Sequence, residues 1–520
     1  MPDARVMAID LGTGSCRALI FDRDGHQLAM AQREWSHPPL EGAPGSQQFE
    51  TARNWPLICE CTKEALAKSG LPAAAIKGVS STAMREGMVL YDSQGTEIWA
   101  CPNVDSRAGE EAAELIKAGR ARTIYDTGGD WVSITSPARF LWIKRHQPDV
   151  FARIAHMGML SDWVLTKLSG RYATDPSIGA SSGLFDLAKA TWSPELIRMI
   201  GLDPGIFPEV RQPGTVLGEV TAKAAAETGL TAGTPVVVGG ADTQLGLLGI
   251  GRTTPNAFTL VGGSFWQSTV VVDKPLIDPE ARLRSLCHVV PGQWMVEGIG
   301  FYCGLTMRWF RDAFCDWEKA RAAERGVDPF VVMEEEAATV PPGSNGVLPI
   351  FGNIMNAKRW VQASPSFVQF DIDNPGSSGR KECIRAIEES AAYIALGHLR
   401  IIESLTGHAF QEIVFTGGGS KGHLWPQVIA DVLGVAVKVP VVKESTALGA
   451  ALCAGLGAGI YKDLAETATE VVRFERTFQP DRAAHATYLT LFEQWHTVYG
   501  RFLELSDAGL LRPLWKPAGA

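Results

Sequence analysis

The chain has 520 residues, 46% hydrophobic and 20% charged, enough apolar material to bury a sizeable core without disulfide or metal support. A net charge of −9 and a pI near 5.7 argue against a nucleic-acid binder, which needs a basic face. No apolar run of roughly 18 residues escapes a charge or a Gly or Pro break, so no membrane span is predicted.

Length predicts about three domains, or two large ones. The nine cysteines are odd in number and scattered. The spacing of Cys59 and Cys61 fits neither a zinc knuckle nor a CxxC redox pair, so reduced thiols in a cytoplasmic protein are expected. Met1-Pro2-Asp3-Ala4-Arg5 leads straight into an apolar stretch, with no signal-peptide core.

Strands are predicted over Val6–Asp10, Arg17–Phe21 and Gln27–Arg33, with a hairpin turn at Asp24-Gly25. A strand, a Gly-rich turn and a meander do not open a Rossmann fold, in which a helix follows the glycines. A helix is expected over Glu50–Lys68, strands over Ile76–Ser80 and Met88–Tyr91, and a helix over Asp105–Ala118. Arg122 to Asp186 reads as an insertion. Pro235–Val238 is a buried strand broken at Gly239-Gly240-Ala241-Asp242, and a helix starts at Thr243.

Ala257–Val261, the Gly262-Gly263-Ser264 turn and Trp266–Val272 repeat the opening pattern, which suggests an internal duplication. The Met307–Asp312 stretch is helical, with aromatic residues in the core and charges outside. Helices and strands then alternate from Glu382 to Leu505, the signature of an α/β layered sheet. The domain boundary is placed near Gly249–Gly251, giving units 1–249 and 250–520 with a cleft between them.

Five constellations could carry chemistry. In Asp10-Leu11-Gly12-Thr13-Gly14-Ser15 a carboxylate ends a strand beside a turn of glycines and hydroxyls. Such a turn can converge N–H groups on an anion while Asp10 orients Mg²⁺, although an ordinary hairpin turn has the same composition. Gly262-Gly263-Ser264 is a weaker copy. Thr416-Gly417-Gly418-Gly419-Ser420 sits between strand and helix, where α/β sheets bind nucleotides and where plain flexible turns also occur. Asp242 ends a strand at a helix start, suited either to accepting a hydroxyl proton in phosphoryl transfer or to capping the helix. Arg85-Glu86 can hold a polyol or be a solvated surface pair. No P-loop, HExxH or HxH cluster is present.

In this order and spacing these motifs resemble the FGGY carbohydrate kinases. The resemblance implies two ribonuclease-H/actin-like α/β domains with ATP and Mg²⁺ in the cleft between them. It places phosphates at Thr13, Gly14, Ser15, Gly262, Gly263 and Ser264, and adenosine at Gly417, Gly418, Gly419 and Ser420. Asp10 is implied as the metal-holding carboxylate and Asp242 as the catalytic base. The block Asp162–Gly170, continued by Thr174, Asp175 and Ser177, also matches the family.

For the substrate the resemblance implies Arg85, Glu86, Asn103 and Asp105, with Trp266 as a wall. The aromatic wall of glycerol kinases would fall on Asn103 and Ile134, which puts glycerol in doubt. The strings Met84–Gly87, Trp99–Cys101 with Asn103–Asp105, Leu305–Cys315, Gly417–Leu424 and Pro440–Gly449 resemble one branch of the family, and that resemblance implies a small polyhydroxy ketone phosphorylated at a primary hydroxyl. A pentulose or other sugar is the alternative, and a nucleotide-gated actin-like binding module a third reading. The resemblance also allows regulation by a sugar phosphotransferase protein. No nucleic-acid or membrane partner is expected.

Overall fold

Two sheets with a shared strand order organise the chain, here in a computed structural model that describes residues 4–442 and 444–516. Met1–Asp3 and Lys443 of the Pro440–Gly449 string lie outside the described residues.

The first sheet contains β1 (Arg5–Leu11), β2 (Ser15–Asp22), β3 (Gln27–Glu34), β4 (Ile76–Ala83), β5 (Val216–Glu219) and β6 (Pro235–Ala241), in the order β5-β6-β4-β1-β2-β3. The second contains β7 (Phe258–Gly262), β8 (Trp266–Val272), β9 (Arg284–Cys287), β10 (Trp294–Gly300), β11 (Glu412–Thr416), β12 (Ala436–Pro440) and β13 (Phe474–Phe478), in the order β9-β10-β8-β7-β11-β12-β13. In each, three antiparallel strands are extended by two parallel strands and closed by an antiparallel edge, and the second sheet adds β9 as a further antiparallel strand beside β10. The suspected duplication is therefore present at the level of topology. A smaller sheet of Met88–Tyr91, Glu97–Cys101 and His156–Met159 lies in the first half.

Period-2 alternation sorts each meander strand onto two faces. On the first sheet, Met7, Ile9 and Leu11 join a core with Trp55 and Ile58 of α1 (Thr51–Ser69) and Trp163 of α2 (Leu160–Ser169). Val6, Ala8 and Leu19 face the other way, against α3 (Asp242–Leu248) and α7 (Ser445–Gly457). Between these in chain order lie α4 (Cys303–Phe314), α5 (Arg380–Thr406) and α6 (Leu424–Leu433), and α8 (Arg482–Asp507) closes the chain.

α7 belongs to the second half of the sequence yet packs on β1, β4 and β6. Its small residues permit that approach. A Cβ on Gly449 would meet the Leu245 carbonyl oxygen at 2.0 Å, and one on Gly249 the Ser445 oxygen at 1.9 Å. The two halves are thus joined by backbone-to-backbone contact beneath the cleft.

Three expectations need correction. β6 loses register with β4 between Val237 and Gly240 but continues to Ala241, and the helix opens at Asp242. The glycines serve close approach, since a Cβ on Gly239 would meet the Ser81 carbonyl oxygen at 1.9 Å. The helix expected from Asp105 begins at Gly109, because Asp105 is drawn into side-chain bonds. Within α4, Met307 and Phe310 are buried as expected, but Trp309 lies 47% exposed on the outer face. All nine cysteines are buried free thiols, and no helix among the described residues is long and apolar enough to cross a membrane.

Candidate active site

Parallel pairing brings the chemistry to one sheet edge. Leu11 and Ala241 both register with Ala83, so Asp10, Arg85-Glu86 and Asp242 emerge together at the carboxyl ends of β1, β4 and β6. Asp242 begins α3. Its Oδ1 accepts from the Thr243 N–H at 2.7 Å and lies 3.9 Å from Arg85 Nε. Those contacts leave Oδ2 to the cleft, and the side chain is 35% exposed. Burial pushes its carboxyl up to about 6, against the lowering pull of Arg85, and the charges of Glu86 and Asp10 push the same way. A carboxylate that titrates near 6 is better matched to taking a hydroxyl proton than one near 4.

Strand β6 is fixed by a relay that begins in the Asp162–Ser177 block. Asp175 Oδ1 accepts from the Ser177 N–H at 2.7 Å and from Ser177 Oγ at 2.5 Å, and Ser177 Oγ accepts in turn from the Ala241 N–H at 3.0 Å. Gly240 leaves room for this, since a Cβ there would meet Ser177 Oγ at 2.5 Å. Ser177→Ala would orphan the buried Ala241 N–H, costing about 1–3 kcal/mol, next to the residue that must be aimed. We expect turnover to fall roughly tenfold with the KM for ATP unchanged, measured by steady-state ADP release.

Arg85 and Glu86 are not a solvated pair: they are 6% and 4% exposed. Glu86 has φ 60°, a left-handed backbone that is strained for a non-glycine residue. Arg139 donates from Nη1 to its carbonyl oxygen, and its N–H donates to Ser181 Oγ at 3.2 Å. Arg139 Nη2 also donates to the carbonyls of Asn103 at 3.1 Å and Asp105 at 2.9 Å. One buried guanidinium therefore ties the 85–86 and 102–105 segments together.

The second half closes over this pair with its own charges. Arg284 of β9 donates from Nη2 to Glu86 Oε1 at 2.6 Å and also to Asp130 Oδ2. Glu297 of β10, fully buried, pairs with Arg85 Nη2 at 2.9 Å. Burial pushes Asp130 up to about 6 although Arg284 pulls it down. Arg85 Nη1 and Glu297 Oε2 are buried without partners, a donor and an acceptor suited to a polar ligand.

Asn103 meets the first turn rather than standing alone, donating from Nδ2 to Thr13 Oγ1 at 3.0 Å. Asp105 does not offer a free carboxylate. Its Oδ1 accepts from the Gln47 N–H at 2.8 Å and Arg107 Nε at 2.7 Å, with Arg139 Nε 3.6 Å from Oδ2, so it positions the loop. Trp266 is corrected too. It is 2% exposed and packs against Phe415 and Trp425, ring centroids 5.2 and 4.9 Å away, on the nucleotide side. Phe265, in the turn just before β8, packs instead on Phe301 and Tyr302, with centroids at 5.1 and 5.7 Å.

The second phosphate turn and the adenosine turn lie against each other because β7 and β11 pair in parallel with Val261 opposite Thr416. A Cβ on Gly417, where φ is 92°, would meet the Gly262 carbonyl oxygen at 2.8 Å. These turns border a cavity of about 600 Å³ lined by Gly262, Gly263, Ser264, Gly418, Gly419 and Trp425 among others, a size that suits a nucleotide. The glycine cradle fits the flat base and bare phosphates expected there. Ser420 is spent on its own turn, Oγ donating to the Gly417 carbonyl oxygen at 2.8 Å. Thr13 and Gly14 are exposed and Ser15 half-buried on the facing turn. Gly304 on α4 would place a Cβ 2.1 Å from the Gly263 carbonyl oxygen. Gly304→Ala should therefore displace the second phosphate turn and weaken ADP binding about tenfold or more by calorimetry.

Asp10 is 2% exposed, and its Oδ2 accepts from Arg17 Nη2 at 2.5 Å. Arg17 Nη1 is held separately by Glu444 Oε2 at 2.5 Å, so Arg17 keeps a partner if Asp10 turns to a cation. Burial raises the Asp10 carboxyl above its ordinary value despite Arg17.

A sequence profile described as "FGGY family of carbohydrate kinases, N-terminal domain" matches residues 5–249, and its C-terminal counterpart matches residues 268–458. The chain belongs to the FGGY family of carbohydrate kinases and is an ATP-dependent kinase of a small sugar-like substrate. It is 45% identical over 517 residues to the autoinducer-2 kinase of Yersinia enterocolitica, covering 99% of this chain and 98% of that one. The autoinducer-2 kinase of Yersinia pseudotuberculosis is 46% identical over 517 residues, covering 99% and 97%. Among solved structures, the xylulose kinase from Rhodospirillum rubrum superposes with a TM-score of 0.83 at 27% identity, covering 96% of this chain and 99% of that one. Plasmodium falciparum glycerol kinase with ADP superposes with a TM-score of 0.83 at 17% identity, covering 96% and 98%, a likeness of fold.

Proposed function

We propose that this kinase uses Mg·ATP to phosphorylate the primary hydroxyl of the open-chain autoinducer-2 signal, a dihydroxypentanedione, in the cytoplasm. The identity of 45–46% along essentially the whole chain carries this reading, since it spans the substrate segments as well as the nucleotide motifs. A phosphorylated signal cannot diffuse back through a membrane, so the reaction traps it in the cell.

Arg85 orients the substrate through its unpartnered Nη1, with Glu86 and Asn103 on neighbouring segments. Thr13, Ser15, Ser264 and the backbone N–H groups of the two glycine turns receive the phosphates. Mg²⁺, held through Asp10, neutralises phosphate charge when bound. Asp242 Oδ2 takes the hydroxyl proton as that oxygen bonds to the γ-phosphorus and ADP leaves with the bridging oxygen. Positioning and electrostatic complementarity supply most of the rate.

Product identification tests the proposal. With the dihydroxypentanedione and Mg·ATP, phosphorus–proton correlation should show the new phosphate coupled to a CH₂ group. Coupling to a CH group, or no phosphorylated product, contradicts it. A pentulose substrate is the second reading, favoured by the likeness to a xylulose kinase.

A further inference from the structure

The nucleotide cavity carries a polar group that phosphate binding does not use. Glu388 on α5 lines it, in the company of Met307, Phe330, Ile384 and Trp425. Glu388 is 3% exposed, and its Oε2 is buried without a hydrogen-bond partner. The other acidic groups bordering the cavity are engaged. Glu334 Oε1 accepts from the Leu424 N–H at 2.6 Å, and Asp328 Oδ1 from the Phe330 N–H at 2.9 Å. A buried acceptor without a partner, on a residue that lines an apolar cavity, costs stability unless a ligand completes it.

We infer that Glu388 is the nucleobase-specificity residue of this kinase, its carboxyl oxygen accepting a hydrogen bond from the 6-amino group of adenine. This rests on the reading that the cavity takes the nucleotide.

Apolar walls bind any purine by area alone and distinguish bases poorly. One buried hydrogen-bonding group supplies discrimination, because the wrong base leaves it unpaired. Guanine carries a carbonyl oxygen at the ring position of adenine's amino group, which sets an acceptor against an acceptor. Burial also pushes the Glu388 carboxyl well above its ordinary value, with Glu334 and Glu389 adding to the shift and Arg385 opposing it. In either protonation state a carboxyl oxygen of Glu388 can accept the amino hydrogen bond.

The test is calorimetric and uses the full chain with ADP, GDP and purine riboside diphosphate, which lacks the 6-amino group. Wild-type protein should bind ADP about tenfold or more tightly than either of the others. Glu388→Leu should weaken ADP about tenfold and bring the three ligands to within about twofold of one another. Glu388→Gln retains a carbonyl acceptor and should keep ADP binding, while its amide N–H, able to donate to the guanine oxygen, should narrow the preference over GDP. The ligand-side comparison stands even if a variant folds poorly. Equal binding of the three nucleotides by wild-type protein, or an unchanged ADP preference in folded Glu388→Leu, overturns the assignment. Failure of wild-type protein to bind ADP overturns the nucleotide reading of the cavity itself.

Discussion

Asp242→Asn is expected to lower turnover about 10²-fold or more while ADP affinity stays within about twofold. Asparagine can keep the Thr243 N–H bond through its carbonyl oxygen but cannot accept a proton. The side chain lies at the sheet edge rather than in the 600 Å³ nucleotide cavity, so binding and chemistry should separate. The pH profile gives an independent sign. Only the ionised form is a base, and burial raises its pKa to about 6. kcat/KM should therefore rise with pH through about 6 and then level off, and Asp242→Asn should lose that limb. A near-normal turnover in Asp242→Asn would remove it from the role of base.

Loss of Arg284 should produce the largest stability effect. Its guanidinium bonds Glu86 and Asp130 of the first half from a strand of the second, and all three side chains are at most 6% exposed. Arg284→Met would leave two carboxylates buried without their cation, which typically costs about 3–5 kcal/mol. For a domain of this size the thermal midpoint should fall by roughly 10 °C, followed by near-UV circular dichroism. Arg284→Lys should recover only part of the loss, because a shorter, point-charge ammonium cannot also face Glu297, which Arg284 Nη1 meets at 3.8 Å. Substrate affinity should fall as well, since Glu86 sits in a strained backbone that these bonds help to hold. An Arg284→Met protein with a wild-type midpoint would show that the two halves are not clamped through this cluster.

The meander strands, the Leu424–Leu433 helix and the glycine turns were legible because each carries a local signal: alternation, period or turn chemistry. The β6 end misled because Gly239 and Gly240 look like a turn when they in fact allow close contact with β4 and Ser177. Trp266 misled because sequence alone does not say which face of β8 borders the cleft and which packs on Phe415 and Trp425. Arg139, Asp130 and Arg284 were missed because each is a lone charge far in sequence from its partners. Glu297 left one readable trace, a carboxylate inside the otherwise apolar strand Trp294–Gly300. Asp175 and Ser177 were visible as part of a family block, but their relay to Ala241 and its action on Asp242 emerge only when β6 is laid beside them.

Substrate choice is the central claim, and ADP release under Mg·ATP tests it most directly. The open-chain autoinducer-2 precursor, ribulose, xylulose and glycerol would be compared by kcat/KM at one enzyme concentration. The account predicts a clear preference for the autoinducer-2 precursor over both pentuloses and over glycerol. A higher kcat/KM with ribulose or xylulose would contradict it, keeping the fold and the Asp242 chemistry but making this chain a pentulose kinase.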